Sequence, residues 1–124
     1  MRFIEDSADA SYIIDAHGPG WVSINHVAYS DSLIVMPEWL LVPWRPARFD
    51  DFEVDDLASV LDKRPEILLV GTGERQRFPD GTCLARLANI GAGCEFMSTA
   101  AACRTYTILM AEKRRVAAAL LQSD

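Results

Sequence analysis

Cysteine is scarce in this 124-residue chain: Cys83, Cys94 and Cys103 are an odd number without CxxC spacing, so the sequence offers neither a disulfide framework nor a zinc knuckle. Three unpaired thiols suit a reducing compartment. Basic residues are also in short supply, 12 Lys and Arg against 18 Asp and Glu for a net charge of -6, which weighs against a general attraction to nucleic acid. Long apolar runs are missing as well. The stretch "SLIVMPEWLLVPW" is broken by Pro37, Glu38 and Pro43 and is too short to cross a bilayer. The opening "MRFIEDSADASY" carries Glu5, Asp6 and Asp9, unlike an acid-poor mitochondrial presequence, and has no secretory apolar core. A cytoplasmic location without membrane insertion is expected.

Nucleotide fingerprints are absent too. The segment "EILLVGTGERQRFP", residues 66 to 79, runs from an apolar stretch into a Gly-Thr-Gly turn, as some phosphate loops do. A dinucleotide loop, however, needs a third Gly where Gln76 stands and a helix where Pro79 stands, and a P-loop needs a Gly-Lys-Ser/Thr ending. Neither a cofactor nor a metal set is expected.

What is present is apolar residue enough for a core. Half of the chain is hydrophobic, and a domain of this length buries roughly two thirds of its unfolded surface. One domain spanning residues 1–124 is expected. Its first part is strand-like: "SYIID" and "WVSINHVAY" flank the turn "AHGPG", and "SLIVM" and "WLLVPW" follow, rich in β-branched and aromatic residues, which predicts a meander or folded hairpin set. In "VDDLASVLDKRP" the period changes. Leu57, Val60 and Leu61 take helical spacing, with Asp55 and Asp56 near the positive helix end and Lys63 and Arg64 near the other. "EILLV" reads as a strand covered on both faces. A helix in "DGTCLARLANI" would turn Leu84, Leu87 and Ala88 inward, "CEFM" is a short strand, and Ser98 or Thr99 caps a helix through "AAACRTYTILMAE". Local propensity alone would carry that helix on through "EKRRVAAALLQ", while a strand there needs tertiary context.

Charge is uneven along the chain. Residues 1–62 hold 12 acids and 3 bases, and residues 63–124 hold 6 acids and 9 bases, so the acidic half could meet a basic partner or another copy's basic half. A weak dimer or hetero-complex is expected.

Topology gives the Gly-Thr-Gly turn a second reading. If the 66–70 and 94–97 strands are parallel neighbours joined by a helix, both end on one side of the sheet. Gly71, Thr72 and Gly73 then lie beside Ser98, Thr99 and a helix N-terminus, where open α/β sheets place ligands and free N–H groups favour an anion. Arg75, Arg77 and Arg104 could add positive charge. The plainer reading is a tight exit from a buried strand, with Arg104 solvated or paired to a carboxylate. Cys103, early in its helix, is the best thiol candidate, although no base is placed near it and core filling is the alternative. His17, His26, Glu95 and Glu112 show no pairing that points to catalysis. Trp39 and Trp44 bracket "LLVP"; as an exposed edge they would suit a protein partner, and otherwise they are core.

The blocks "PEILLVGTG", "RFP", "GAGCEFMSTAAACRTYTIL" and "EKRRVAAALL" occur in order. They resemble the small domain family that includes the mitochondrial complex I assembly factor three and an adipogenesis-associated domain-containing protein, with many uncharacterised bacterial members. The resemblance is strong from about residue 63 to 121 and looser over 12 to 48. It implies an α/β fold of three layers, an N-terminal β-meander packed with a mixed, partly parallel sheet and helices, in which "RRVAAALL" is a strand. This sequence departs from the family at Lys113, where a Gly commonly follows the Glu; a lysine with left-handed φ costs on the order of 1 kcal/mol, or the turn is built differently. The resemblance implies no established catalytic activity and a role through protein partners. Two functions are therefore carried forward: a non-catalytic interaction or assembly-factor-like domain, which is favoured, and a small anion-binding domain or enzyme using the Gly71–Gly73 rim with Arg104.

Overall fold

The computed structural model describes residues 11–91 and 93–124, so the acid-rich start lies outside the described residues. Strands β1 (Ile14–Gly18), β2 (Trp21–Ile24) and β3 (Val27–Tyr29) form a three-stranded antiparallel meander. The predicted single strand "WVSINHVAY" is divided between β2 and β3. Asn25 and His26 both take left-handed φ, 50° and 69°, a two-residue turn whose twist matches that of the flanking strands. The turn is tied back to β1 and the residue before it: the Asp15 carboxylate accepts from His26 N–H at 2.6 Å and the Asn25 side chain from Ile13 N–H at 2.8 Å.

The chain then builds a larger sheet from β4 (Leu33–Met36), β5 (Trp39–Leu41), β6 (Ile67–Gly71), β7 (Gly93–Met97) and β8 (Val116–Leu120). Their order is β5-β4-β8-β6-β7. The first two junctions are antiparallel and the β8–β6 and β6–β7 junctions parallel, which is the mixed sheet that the resemblance implies. Between β5 and β6 lie two short 3-10 turns, Phe49–Asp51 and Val54–Leu57, and one turn of helix α1 (Ala58–Leu61). Helix α2 (Gly81–Ile90) joins β6 to β7, and α3 (Thr99–Ala111) joins β7 to β8.

Period-2 alternation in β8 sends its side chains to two cores. Ala117, Ala119 and then Leu121 meet Leu57, Val60, Leu87 and Phe96 on the α1–α2 face. Val116, Ala118 and Leu120 meet Val22, Ile24, Cys103 and Tyr106 beneath α3 and the meander. The result is three layers, with the larger sheet in the middle. The Tyr106 hydroxyl donates to the Tyr12 carbonyl at 2.8 Å and joins α3 to the start of the meander.

Residues 116–120 are thus a strand, against their local helical preference, because β4 and β6 offer backbone partners on both sides. The reversal into it uses Lys113 at φ 60°. A lysine thus occupies a left-handed position, where the resemblance implies a Gly.

Two expectations are corrected. Trp44 is 4% exposed and donates its indole N–H to the Asp56 carbonyl at 2.9 Å, so it belongs to the core and forms no exposed edge; Trp39 is half-buried with the Lys63 ammonium 5.1 Å above its ring. In α2 only Leu87 is buried, whereas Leu84 and Ala88 are exposed. The helix rests on the sheet through the i, i+4 pair of half-buried Cys83 and buried Leu87, which keeps Leu87 inward as expected and turns Leu84 and Ala88 toward solvent.

The uneven charge is met within the molecule. Asp50 pairs with Arg77 at 2.8 Å, Asp55 with Arg86 at 2.8 Å and Glu38 with Arg115 at 2.9 Å, each linking the acidic half to the basic half.

Candidate functional site

Parallel pairing aligns Gly71 with Met97 at the carboxyl ends of β6 and β7. The chain beyond each strand therefore runs side by side, as the topology predicts. Ser98 caps α3, its hydroxyl accepting from Ala101 N–H at 3.2 Å. Thr99 is the hub of the rim. It donates its N–H to the Gly73 carbonyl at 2.8 Å, accepts from Gly73 N–H at 2.9 Å through its hydroxyl, and donates that hydroxyl to the Leu121 carbonyl at 2.6 Å.

Close approach explains the glycines. A Cβ on Gly71 would sit 2.9 Å from Thr99 Cα, and Gly73 takes φ +104° with Ser123 and Asp124 packed against it. Thr72, fully buried, donates its N–H to the Met97 carbonyl at 2.8 Å, and its hydroxyl donates to the Arg75 carbonyl at 2.6 Å while accepting from Arg77 N–H at 3.0 Å. The next N–H, that of Glu74, donates to the Asp124 carboxylate at 2.6 Å. An anion from the protein itself therefore sits at the turn. The N–H groups of Thr72, Gly73, Glu74, Thr99 and Ala101 all have internal acceptors, so the geometry is that of a strand exit braced by hydrogen bonds.

The structure thus brings together Gly71, Thr72, Gly73, Ser98 and Thr99, but not the cations. Arg77 turns away to Asp50, its guanidinium 4.9 Å from the Phe49 ring centre. Arg75 meets the rim through its backbone carbonyl, and its side chain is exposed. Arg104 is exposed on α3 and lines a separate depression with Asp15, His17 and Ile108.

The thiols are quiet. Burial pushes Cys103 up to about 12, with Arg104 only partly opposing it, and burial likewise pushes Cys94 up to about 12. Cys83 is raised too, by burial and then by Asp80. Such thiols carry almost no thiolate near neutral pH. Among the described residues no group of three or more His, Cys, Asp or Glu is placed to hold a metal ion, and no helix is long and apolar enough to cross a membrane.

Two features escaped the sequence reading. A cavity of about 230 Å³ separates the β1–β2 turn from the Gly73–Thr99 rim, and Gln122 lines it. Phe78, Leu84 and Ile90 are 64%, 44% and 46% exposed on and beside α2. Two grooves of mixed polarity flank that helix, one over Phe49, Phe52 and Phe78 with Asp50, Glu53, Asp80 and Arg86 in its walls, the other over Leu84, Ala88 and Cys94.

Comparison with known proteins places the chain in context. A family model described as "Protein of unknown function (DUF498/DUF598)" matches residues 14–121. A crystal structure of a Bordetella parapertussis protein is 39% identical, covers 90% of this chain and 95% of that one, and aligns with a TM-score of 0.83. The "NADH dehydrogenase (ubiquinone) 1 alpha subcomplex assembly factor 3" of Xenopus tropicalis is 33% identical over 122 residues, 97% of this chain and 66% of that protein. The "13 kDa major membrane protein" of Francisella tularensis subsp. holarctica (strain LVS) is 28% identical over 129 residues, 98% of this chain and 99% of that protein. This chain spans just under two thirds of the assembly factor's length.

Proposed function

We propose, from the premise that the chain belongs to this DUF498/DUF598 family, that it is a non-catalytic protein-interaction domain of the assembly-factor-like kind. The observation that carries the reading is α2, a helix of 10 residues whose only buried side chain is Leu87. Helices this short are marginal alone and are held by packing an apolar face, yet here Leu84, Ala88 and Ile90 face outward with Phe78 beside them. Large apolar side chains left exposed on both flanks of one helix suit a surface that another protein covers. The two ion pairs Asp50–Arg77 and Asp55–Arg86 join this layer to its neighbours, and Arg86 with Asp50, Glu53 and Asp80 places charge along the groove beside Phe78. The occupant is an apolar segment of a second protein, and the name of the Xenopus relative supports a partner in assembly. Raised thiol pKa values and a self-satisfied rim support a role without chemistry at those positions.

The test is photo-crosslinking from a reactive side chain placed at Ala85, on the exposed face of α2, in extracts of the native cell. A discrete adduct is expected that disappears with Leu84→Asp and Ile90→Asp together, while the melting temperature holds. An adduct indifferent to that pair, or none at all, would sink the reading. Sedimentation of the isolated chain at low and high salt identifies the case in which the adduct is a second copy.

A further inference from the structure

Strand β7 ends the larger sheet, paired with β6 along one side and with no strand along the other among the described residues. The Thr72 N–H donates to the Met97 carbonyl at 2.8 Å. Met97, and with it Glu95 and Gly93, therefore turns its main-chain groups toward β6, while Cys94 and Phe96 turn theirs outward. The Gln76 side-chain amide meets that outward side, donating to the Phe96 carbonyl at 3.0 Å. The N–H and carbonyl of Cys94 and the N–H of Phe96 have no partner among the described residues. Beside this edge runs the groove over Leu84, Leu87, Ala88, Cys94 and Phe96, of about 180 Å³. None of these five side chains carries nitrogen or oxygen, so the polar part of the groove is main chain, the edge of β7 included.

We propose that this edge and groove bind an extended segment of another protein as an added strand, with alternating apolar and basic side chains. The proposal rests on the reading of α2 as an interaction surface, with which it shares Leu84 and Ala88, and names how the partner lies there. Outward N–H and carbonyl groups at strand spacing are met by the main chain of a further strand. The Gln76 amide already holds the Phe96 carbonyl as a strand N–H would, and the incoming chain takes its place. Alternation then sorts the partner's side chains. Those beside Cys94 and Phe96 fall on the α2 face and enter the groove, whose volume equals about six waters at ~30 Å³ each and admits one or two branched apolar side chains. Those beside Glu95 fall on the other face. Glu95 is exposed and joins no ion pair among the described residues, so a Lys or Arg is its complement across the strands. Charge also disfavours a second copy. The two-fold antiparallel pairing that uses both Cys94 and Phe96 would set Glu95 directly against Glu95.

The experiment titrates the whole chain with the peptide acetyl-Lys-Val-Lys-Leu-Lys-Val-Lys-amide, followed by amide resonances and hydrogen exchange. Saturable shifts at Cys94, Glu95 and Phe96 are expected, with slowed exchange of the Cys94 and Phe96 amides. Two N-methylated peptides, one modified on the apolar residues and one on the lysines, separate the edges of the added strand. One pattern should weaken binding by roughly tenfold or more, the equivalent of one lost hydrogen bond, and the other should be tolerated. Glu95→Lys should weaken the Lys peptide and bind its Glu counterpart instead. Should that variant not fold, the two N-methylated peptides on the parent chain decide. No saturation by the Lys peptide, unprotected Cys94 and Phe96 amides, equal effects of the two N-methyl patterns, or a folded Glu95→Lys that binds both peptides like the parent would each overturn the proposal. Unprotected edge amides in a chain whose Ala85 crosslink is lost with Leu84→Asp and Ile90→Asp would overturn the added strand alone and leave the α2 surface standing.

Discussion

Thr99 and Gly73 are bonded to each other twice, the threonine N–H to the glycine carbonyl at 2.8 Å and the glycine N–H to the threonine hydroxyl at 2.9 Å. Because that hydroxyl also reaches the Leu121 carbonyl at 2.6 Å, one side chain joins the ends of β6 and β8 to the start of α3. Thr99→Val keeps the shape and leaves a buried N–H and carbonyl without partners, so a loss of about 2–4 kcal/mol is expected in urea denaturation. Thr99→Ser should keep most of the stability. Equal losses in the two variants would show that the methyl, not the hydroxyl, matters.

Lys113 holds a left-handed φ of 60° at the reversal between α3 and β8. Lys113→Gly relieves that conformation at some cost in chain entropy, and a gain of roughly 1 kcal/mol is expected. Lys113→Ala, with the same backbone constraint, should give none. A melting temperature that fails to rise for the glycine variant would show that the turn is not strained.

The charge on Asp56 couples stability to pH. Burial raises its pKa, but Arg45 and the Glu53 N–H, bonded at 2.5 Å and 2.8 Å, outweigh burial and bring it below the usual carboxylate value. A depressed folded pKa means stabilisation that is full above the unfolded value, about 3.9, and lost as pH falls through the folded value. Asp56→Ala should therefore cost about 1–2 kcal/mol at neutral pH, much of it as a lost cap on the Val54–Leu57 turn, and the gap should narrow below about pH 4. A gap constant with pH would mean that the loss is one of packing.

Internal acceptors at the rim make a prediction about anions. With Asp124 on the Glu74 N–H and Thr99 on the Gly73 N–H, sulfate or phosphate would have to displace a protein acceptor to reach that pair of donors. Thermal shifts should match those of a chloride control at equal ionic strength, with Arg104→Ala behaving like the parent. Stabilisation specific to one anion and abolished by Arg104→Ala would restore the anion-site reading.

Much of this architecture is legible from residues alone, and the failures have physical causes. "EILLV" reads correctly as a strand covered on both faces, because an apolar run without alternation has no solvent side. The parallel placement of β6 beside β7, and hence of Gly71–Gly73 beside Ser98–Thr99, follows from strand-helix-strand order. "RRVAAALL" is different: its local preference is helical, and only the order of the family blocks identifies the strand, since the partners β4 and β6 are distant in sequence. The Asn25–His26 turn hides because neither residue is a glycine. On α2, Leu84 looks as apolar as Leu87, and the sequence does not say how the helix is rotated on the sheet. Gln122 leaves the faintest trace, a polar residue at the end of a buried apolar run, whose side chain has no hydrogen-bond partner among the described residues.

Strand β8 is the latest in chain order among those described, yet it lies in the middle of the larger sheet, between β4 and β6. A nascent chain emerging from the ribosome therefore carries the β4–β5 hairpin and the β6–α2–β7 unit as two half-sheets that cannot join until residues 116–120 arrive. Pairings of such long sequence separation make for slow closure, and until closure both halves expose the strand edges that invite pairing with other chains. Synthesis of this protein thus has a vulnerable interval that ends with the arrival of three alanines.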